Sequence, residues 1–542
     1  MGAFWPCIVS KHAPIKEMHY RLNSWVEKRK VYFLSAISSS FSNSLENLCL
    51  ALSHSLTQII CLIHKLHTIF ALPAHMSLVN MGMMYGYPAI LTPALLTGTG
   101  DEVKADKHTA SWLASLPGFT ALVLVVLVGP LMSAYGRRPT QLITTSLVLA
   151  GWLVTAFATS ITALFAGRAL QGVCNGCLYF NSILIGEISS PSIRGVLLNV
   201  KLVSVSLGIL IIHGSGCILQ WRSVAWVGTV PCLISIAITL CSPKTPDWLV
   251  SKGRFEEAER AFFTLRGNSN ESKRELSKLI ESQKQKRRKE IGLQRNSFMA
   301  ILGQLKCKAM WRPVILLTCA TVIPEAGGRH FFPSYSVQLA EQITGDKTKG
   351  LLYTIIMDVI SVLAGIICTL MVGKFSRRGL TFYCGFTANV LLIVSCFFMY
   401  LQKTYVTYGF FMWLSVSFLV LYYIIVNGSV FGICYVLMGE LLPLEFRATG
   451  VVIDGIVSAF ILTFVIKVTP YLKDSLGIDG MLFVFALCMA SALIYMYYDL
   501  PETKNRTLHD IGEYFRGNSP KLFSDEALMD NDETDTFVIS KA

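Results

Sequence analysis

Charge is what this sequence has least of. Lys, Arg, Asp and Glu make up 15% of its 542 residues, against 53% hydrophobic, and the mean hydropathy is +0.53. A soluble globular chain carries about 25% charged residues and less apolar bulk, so that class is excluded and a polytopic membrane protein is expected. Acids are scarcer still, 34 against 47 Lys and Arg, which leaves a formal net charge of +13. In a membrane chain such an excess bears on orientation across the bilayer, and no nucleic-acid partner is expected. Paired cysteine spacings are also lacking. The 15 cysteines are scattered, mostly through apolar runs such as LCMASAL, and read as small packing residues rather than a disulfide framework. The CxxC spacing of CNGC (Cys174–Cys177) sits among small residues of an apolar run, so neither a structural metal nor a cofactor is expected. No polar domain is large enough to hold a nucleophile with its base, so the chain is not expected to be an enzyme.

Apolar runs of about 20 residues, the length that crosses a hydrocarbon core, recur in two sets of six. The first set covers 70–96, 111–135, 140–160, 162–186, 196–218 and 223–241; the second covers 313–338, 350–372, 380–401, 408–438, 450–470 and 480–499. The expected domains are a first half at 70–241, a polar linker with short surface helices at 242–312, a second half at 313–499, and a tail at 500–542, acidic, aromatic-poor and partly disordered. Residues 1–69, whose apolar stretch is interrupted by Ser, His and Lys, stay unassigned. The connecting segments YGRRPT, SPSIRG, GKFSRRG and LEFRATG are predominantly basic, whereas TGTGDEVKADKHTA, EQITGDKTKG and YLKDSLGIDG mix both signs. The positive-inside rule puts the first group, the linker and both ends of the twelve-span core in the cytoplasm.

The two halves repeat one another. GEISSPSIRG (Gly186–Gly195) carries Glu187 and Arg194, GELLPLEFRATG (Gly439–Gly450) carries Glu440 and Arg447, and in each the Glu precedes the Arg by seven residues at the same helix end. Duplication of a six-span unit explains the match. GPLMSAYGRRP (Gly129–Pro139), AGRALQG (Ala166–Gly172), SPKTPDWLVSKGRFEEA and PETKNRTLHDI (Pro501–Ile511) accompany these pairs in order, over roughly residues 70–515. On these residues the chain resembles the sugar porter branch of the major facilitator superfamily, and within it the insect facilitated trehalose transporter-like proteins. The resemblance implies an all-α polytopic membrane protein of the major facilitator fold, with twelve transmembrane helices in two pseudo-symmetric six-helix halves around a central cavity. It also implies transport of a small polar solute, a sugar such as trehalose or a hexose, by alternating access. The chain is expected to act as a monomer in the lipid bilayer of the plasma membrane.

Arg137, Arg138, Arg168, Glu187 and Arg194, with Arg377, Arg378, Glu440 and Arg447, are expected at cytoplasmic helix ends, near enough to water to stay ionised. Acids at fixed spacing among the bases point to pairs that lock that side and rearrange when it opens; anchoring of helix ends alone is the alternative. Lys201 and Asp454 lie seven residues after Arg194 and Arg447, at equivalent depth, where they either approach across the pseudo-two-fold as an inner gate or snorkel and pair separately within their own halves.

TVIPEAGGRHFFPSY (Thr321–Tyr335) sets Glu325, Arg329 and His330 in mid-span, where each charge costs about 2.5–3.5 kcal/mol. In the family resembled, this span carries neutral amides. Here Pro324, Glu325 and His330 take their places, and the other family sugar contacts fall on Leu202, Ser361, Tyr435 and Ser458. The substrate-binding candidates are Glu325, Arg329, His330, Lys201, Ser361, Tyr435 and Ser458. Glu325 and Arg329 stand four apart with the acid first, the order that favours pairing on one helix face. They either neutralise each other or line the cavity with His330. Asp358, in the eighth span, has no evident partner. The first span, MGMMYGYPAILTPALL, lacks the Asp that proton-coupled relatives usually carry, which points to facilitated diffusion. An organic-ion or proton-coupled carrier and a non-transporting nutrient sensor stand as alternatives.

Overall fold

The computed structural model describes residues 66–98, 103–189, 191–267, 270, 272–281, 308–345, 349–404, 408–442, 447–504, 511 and 514–516. The extension before residue 66, the basic linker segment 284–290, the tail beyond 516 and the side chains of Arg194 and Arg447 lie outside them. Among the described residues every element is helical.

The first half contains α1 (Leu66–Thr97), α2 (Lys107–Tyr135) and α3 (Arg137–Ala156). A fourth crossing follows in three pieces, α4 (Ile161–Gln171), α5 (Val173–Gly176) and α6 (Leu178–Ile188), then α7 (Pro191–Gly216) and α8 (Trp221–Cys241). In the linker, α9 (Pro246–Ser251) and α10 (Phe255–Arg266) share a small core of Trp248, Leu249, Val250, Ala258 and Ala261. The second half contains α11 (Lys308–Ala326), α12 (Phe331–Thr344), α13 (Gly350–Lys374), α14 (Arg377–Thr404) and α15 (Tyr408–Ile425). A π-turn (Val426–Val430), α16 (Phe431–Glu440) and α17 (Arg447–Asp499) complete it.

Eight described helices are long and apolar enough to cross a membrane. The twelve spans expected from the sequence exceed that number for local reasons. The fourth and seventh are broken into short helices, α1 carries three prolines and several polar side chains, and the last two fuse into the 53-residue α17. The segment YLKDSLGIDG, expected as a loop, is helical except at Gly477, whose φ of +79° turns the chain back. At the start of α2, Asp106 accepts from the backbone N–H of His108 (3.2 Å) and Thr109 (3.3 Å). Hydrogen bonding, led by the Thr109 side chain, holds its carboxyl below the usual carboxylate range.

Successive crossings alternate in direction. The pairs Arg137–Glu187, Arg312–Asp499 and Arg377–Glu440 mark the end from which the linker departs, and Lys107–Asp474 and Lys403–Asp479 mark the far end. Hydroxyls within the bundle mostly return to their own helix, as Ser77 does to Pro73 O (3.1 Å) and Thr463 to Ala459 O (2.7 Å), which satisfies those donors where water is absent. Small residues let backbones touch. At the crossing of α1 and α7, a Cβ on Gly82 would stand 2.0 Å from Val205 O, and one on Gly208 would stand 2.0 Å from Val79 O. Close approach of this kind replaces the hydrophobic drive that lipid removes.

Arg168 is not at the linker end, where the sequence places it. It lies eight residues after the α4 N-cap Ser160, 1% exposed, and donates to Leu113 O (3.0 Å), Met84 O (3.2 Å) and Gln171 Oε1 (2.8 Å). Its five donors suit this junction of three helices.

Two outcomes test this packing in detergent-solubilised protein, read by thermal unfolding. Gly82→Ala forces α1 and α7 apart and lowers stability by about 1–3 kcal/mol, whereas Gly129→Ala, with no atom within 4 Å, is neutral. Arg168→Lys, unable to span three carbonyls, costs roughly 2–4 kcal/mol, while Arg138→Lys costs less than about 1 kcal/mol.

Candidate transport site

The seventh crossing breaks where its glycines lie. Arg329 N–H donates to Pro324 O (3.0 Å) and Gly328 N–H to Glu325 O (3.2 Å), closing α11 with a Schellman-type turn in which Gly328 takes φ +92°. Only glycine adopts that conformation freely. The freed Gly327 carbonyl accepts from Tyr422 Oη at 2.5 Å.

The break removes one of the two arrangements open from the sequence, the pairing of Glu325 with Arg329. Four residues of unbroken helix would put them on one face, but the turn between them rotates Arg329 away. Glu325 Oε2 instead lies 2.7 Å from His330 Nδ1, and the His330 ring packs against Tyr85 of α1 at 4.1 Å between centroids. The Arg329 guanidinium lies 3.9 Å from the Tyr435 ring centroid and 6.0 Å from that of Phe431. It is 8% exposed, and its Nη1 has no hydrogen-bond partner. Aromatic faces attract a desolvated cation but leave its donors unused.

Arg329 and His330 line a small cavity between the halves, together with Ser206 of α7, Ser361 of α13, and Tyr423 and Asn427 around the π-turn. Leu202, Ile209 and Phe431 supply apolar walls. Ser206 Oγ lies 3.1 Å from Ser361 Oγ, which in turn donates to Asn427 Oδ1 at 3.1 Å, so one hydrogen-bonded row crosses from the first half to the second. Of the seven candidates from sequence, Arg329, His330 and Ser361 reach the wall; Glu325 acts on it through His330, and Tyr435 through Arg329. Ser458 is half-buried on α17, and neither it nor Lys201 is among the lining residues. Asn427 was not foreseen. Its signal is an amide inside the run LVLYYIIVNGSV, and the π-turn that carries it is a feature common at functional sites.

Lys201 Nζ donates to Ser182 Oγ (2.7 Å) in the first half, and Asp454 Oδ1 accepts from Thr321 Oγ1 (2.9 Å) in the second. Among the described residues no ion pair joins the two, so the expected inner gate is not formed in this structure: each charge has a nearer hydroxyl in its own half. The linker-end residues are arranged twice over. Arg137 Nε bonds Glu187 Oε1 at 3.0 Å, and Arg377 Nη2 bonds Glu440 Oε1 at 3.4 Å. The neighbouring arginines cap the last helix of each half, Arg138 on Leu240 O (2.6 Å) and Arg378 on Leu500 O (2.9 Å), where a cation complements the helix dipole. Ties between the halves occur at the far end, through Lys107–Asp474 and through Lys467, which donates to His108 O (3.3 Å) and covers the Trp112 ring (4.2 Å). Asp358 does have a partner, His213, which the sequence reading did not connect with it: Nδ1 to Oδ2 is 2.6 Å, and both side chains are buried.

Known proteins resemble this chain along most of its length. Facilitated trehalose transporter Tret1 of Apis mellifera ligustica is 27% identical over 446 residues, covering 80% of this chain and 86% of the relative. The protein of that name from Polypedilum vanderplanki is 26% identical, covering 82% and 88%. Among solved structures, the xylose transporter XylE of E. coli in a partially occluded inward-open conformation superposes with a TM-score of 0.65 at 17% identity, covering 81% of this chain and 99% of that one, which supports a shared major facilitator fold. The family model "Sugar (and other) transporter" matches residues 77–515, and the chain belongs to that family.

Proposed function

We propose that this protein is a facilitative carrier that moves a small neutral sugar, trehalose or a hexose, across the plasma membrane by alternating access. The observation that carries the reading is the hydrogen-bonding row Ser206–Ser361–Asn427, built from both halves and facing a cavity beside Arg329. Sugar hydroxyls donate and accept, and so can bond serine, amide and guanidinium groups alike. Walls from two halves let a rocking motion expose the same solute to either side in turn. The names of the insect relatives favour trehalose within this class.

The predominantly basic linker end faces the cytoplasm on this reading. The Arg137–Glu187 and Arg377–Glu440 pairs, followed in sequence by Arg194 and Arg447, each brace the cytoplasmic end of one half, so that each half moves as a unit when the far-end ties part. The chain works as a monomer, with no cofactor, no nucleic-acid partner and no catalytic step. A second reading has a specific support: the unpartnered Arg329 Nη1 offers a buried cation to an organic anion.

Uptake into proteoliposomes of labelled trehalose, glucose, glucuronate and alanine separates these readings. Saturable trehalose or glucose flux is expected, lowered at least tenfold (~1.4 kcal/mol) by Arg329→Gln and about two- to tenfold by Ser361→Ala. Glucuronate flux above that of both sugars, abolished by Arg329→Gln, establishes the anion carrier instead. Absence of flux with every solute, despite saturable trehalose binding, points to a sensor.

A further inference from the structure

Three helices meet at His213. Its Nδ1 lies 2.6 Å from Asp358 Oδ2 on α13, and its Nε2 lies 3.1 Å from Gly86 O on α1. His213 is 0% exposed and Asp358 3%. The approach depends on a glycine, because a Cβ at position 86 would stand 2.9 Å from Nε2 and 2.5 Å from Ile212 Cγ2. Since α1 and α7 belong to the first half and α13 to the second, the contact joins the halves. Ile209 and Ser361 of the cavity wall lie about one helical turn away along α7 and α13, so the pair roofs the cavity towards the far end.

Donor and acceptor chemistry fixes the number of protons held there. A carbonyl oxygen only accepts, so Nε2 carries a hydrogen. The 2.6 Å contact at Nδ1 then needs one more proton, either on Nδ1 facing a carboxylate or on the carboxyl facing a neutral ring. Without it, a ring lone pair faces a carboxylate oxygen in a buried site, which is strongly unfavourable. Both protonated arrangements are neutral overall and hold the same single proton.

Nearby titratable and charged groups are otherwise engaged. On α1, His75 bonds Ser204, Tyr85 bonds Asn175 and Tyr87 bonds Trp221 O. Arg222 of α8 bonds Ala158 O, and His330 before α12 bonds Glu325. Tyr423 of α15 lines the same cavity wall as Ser361, while the acids of α6 and α16 sit at the linker end.

We propose that His213 and Asp358 form a proton-binding site that fastens the two halves at the far end of the solute cavity, taking up one proton each time that end closes. The proposal rests on the alternating-access reading. Once parted and hydrated, an aspartate (about 3.9) and a histidine (about 6.5) hold no shared proton above roughly pH 6.5. Below that pH the opened pair keeps the proton as imidazolium, and closing takes up none. The closed-to-open ratio is therefore flat below roughly pH 6.5 and falls by up to tenfold per pH unit above it. The proton enters and leaves with the contact, so it sets the pH range of the swing without driving solute uphill.

A water-soluble carbodiimide, which joins an adjacent lysine and carboxylate, reads far-end closure in the full-length protein in nanodiscs. Coupling of Lys107 to Asp474 reports the contact between halves, and coupling of Lys403 to Asp479, within the second half, corrects for the reagent's own pH dependence. From pH 6 to 8.5 the ratio of the two cross-linked peptides falls at least fivefold in the native chain. The fall is absent in Asp358→Asn, whose amide donates to Nδ1 of a neutral ring: there the ratio rises by up to about fourfold as the opened imidazolium loses its proton, then levels. A level ratio in the native chain overturns the proposal, and so does the native slope persisting in Asp358→Asn. If that variant does not give monodisperse protein, His213→Gln replaces it under the same criteria. Because no solute is present, failure here is distinguishable from failure of the sugar-carrier reading, which rests on the uptake panel.

Discussion

Hydrocarbon offers a polar side chain no hydrogen bond, and that constraint determines the partner of each buried charge in this bundle. The partners follow a chemical division. The arginines Arg168 and Arg329 cannot give up their charge, and they are met by carbonyls and aromatic faces. The acids Glu325 and Asp358 are each met by a histidine. A carboxyl and an imidazole can share one proton and remain neutral together, whereas an arginine–glutamate pair must desolvate two full charges. This explains why Glu325, four residues from Arg329, lies against His330 instead.

Much of the fold was legible in the sequence because hydrophobic length and charge placement are imposed by the bilayer. The repeated Glu187 and Glu440 motifs located matching helix ends in both halves, and the structure bonds each to the arginine of the preceding basic loop. Legibility failed where one residue changes the geometry of a whole face. The spacing of Glu325 and Arg329 presumes continuous helix, and Gly328 ends it. Arg168 was grouped with the surface arginines by residue type, although its place early in α4 sets it deep among α1, α2 and α4. The His213–Asp358 contact joins residues 145 apart in separate halves, a pairing that no local pattern records.

The two ends of the molecule differ in what their charges join. At the linker end the described ion pairs bind helices within one half, so either half can move as a unit without losing them. At the far end Lys107–Asp474 and His213–Asp358 bind one half to the other. Contacts of the first kind preserve the rigidity of a rocking body, and contacts of the second kind must break when it rocks. Strengthening the first stiffens each half, while strengthening the second favours one orientation of the halves over the other.

The cavity also bears on how a sugar site can change its side chains and keep its polarity. Amides expected from family resemblance are replaced at Leu202, Ser361 and Ser458, yet the wall is not apolar. An amide reaches it from Asn427, eight residues before Tyr435, because the π-turn adds a residue to the helical turn and changes which side chains face inward. Asn427 spends its oxygen on Ser361 and one N–H on Tyr423 O (2.9 Å), leaving the second N–H and the Arg329 donors. A wall with donors in excess selects a solute that presents acceptors. A sugar meets that demand through its ring and hydroxyl oxygens, so the loss of the familiar amides narrows the geometry of recognition without requiring a change in the chemistry recognised.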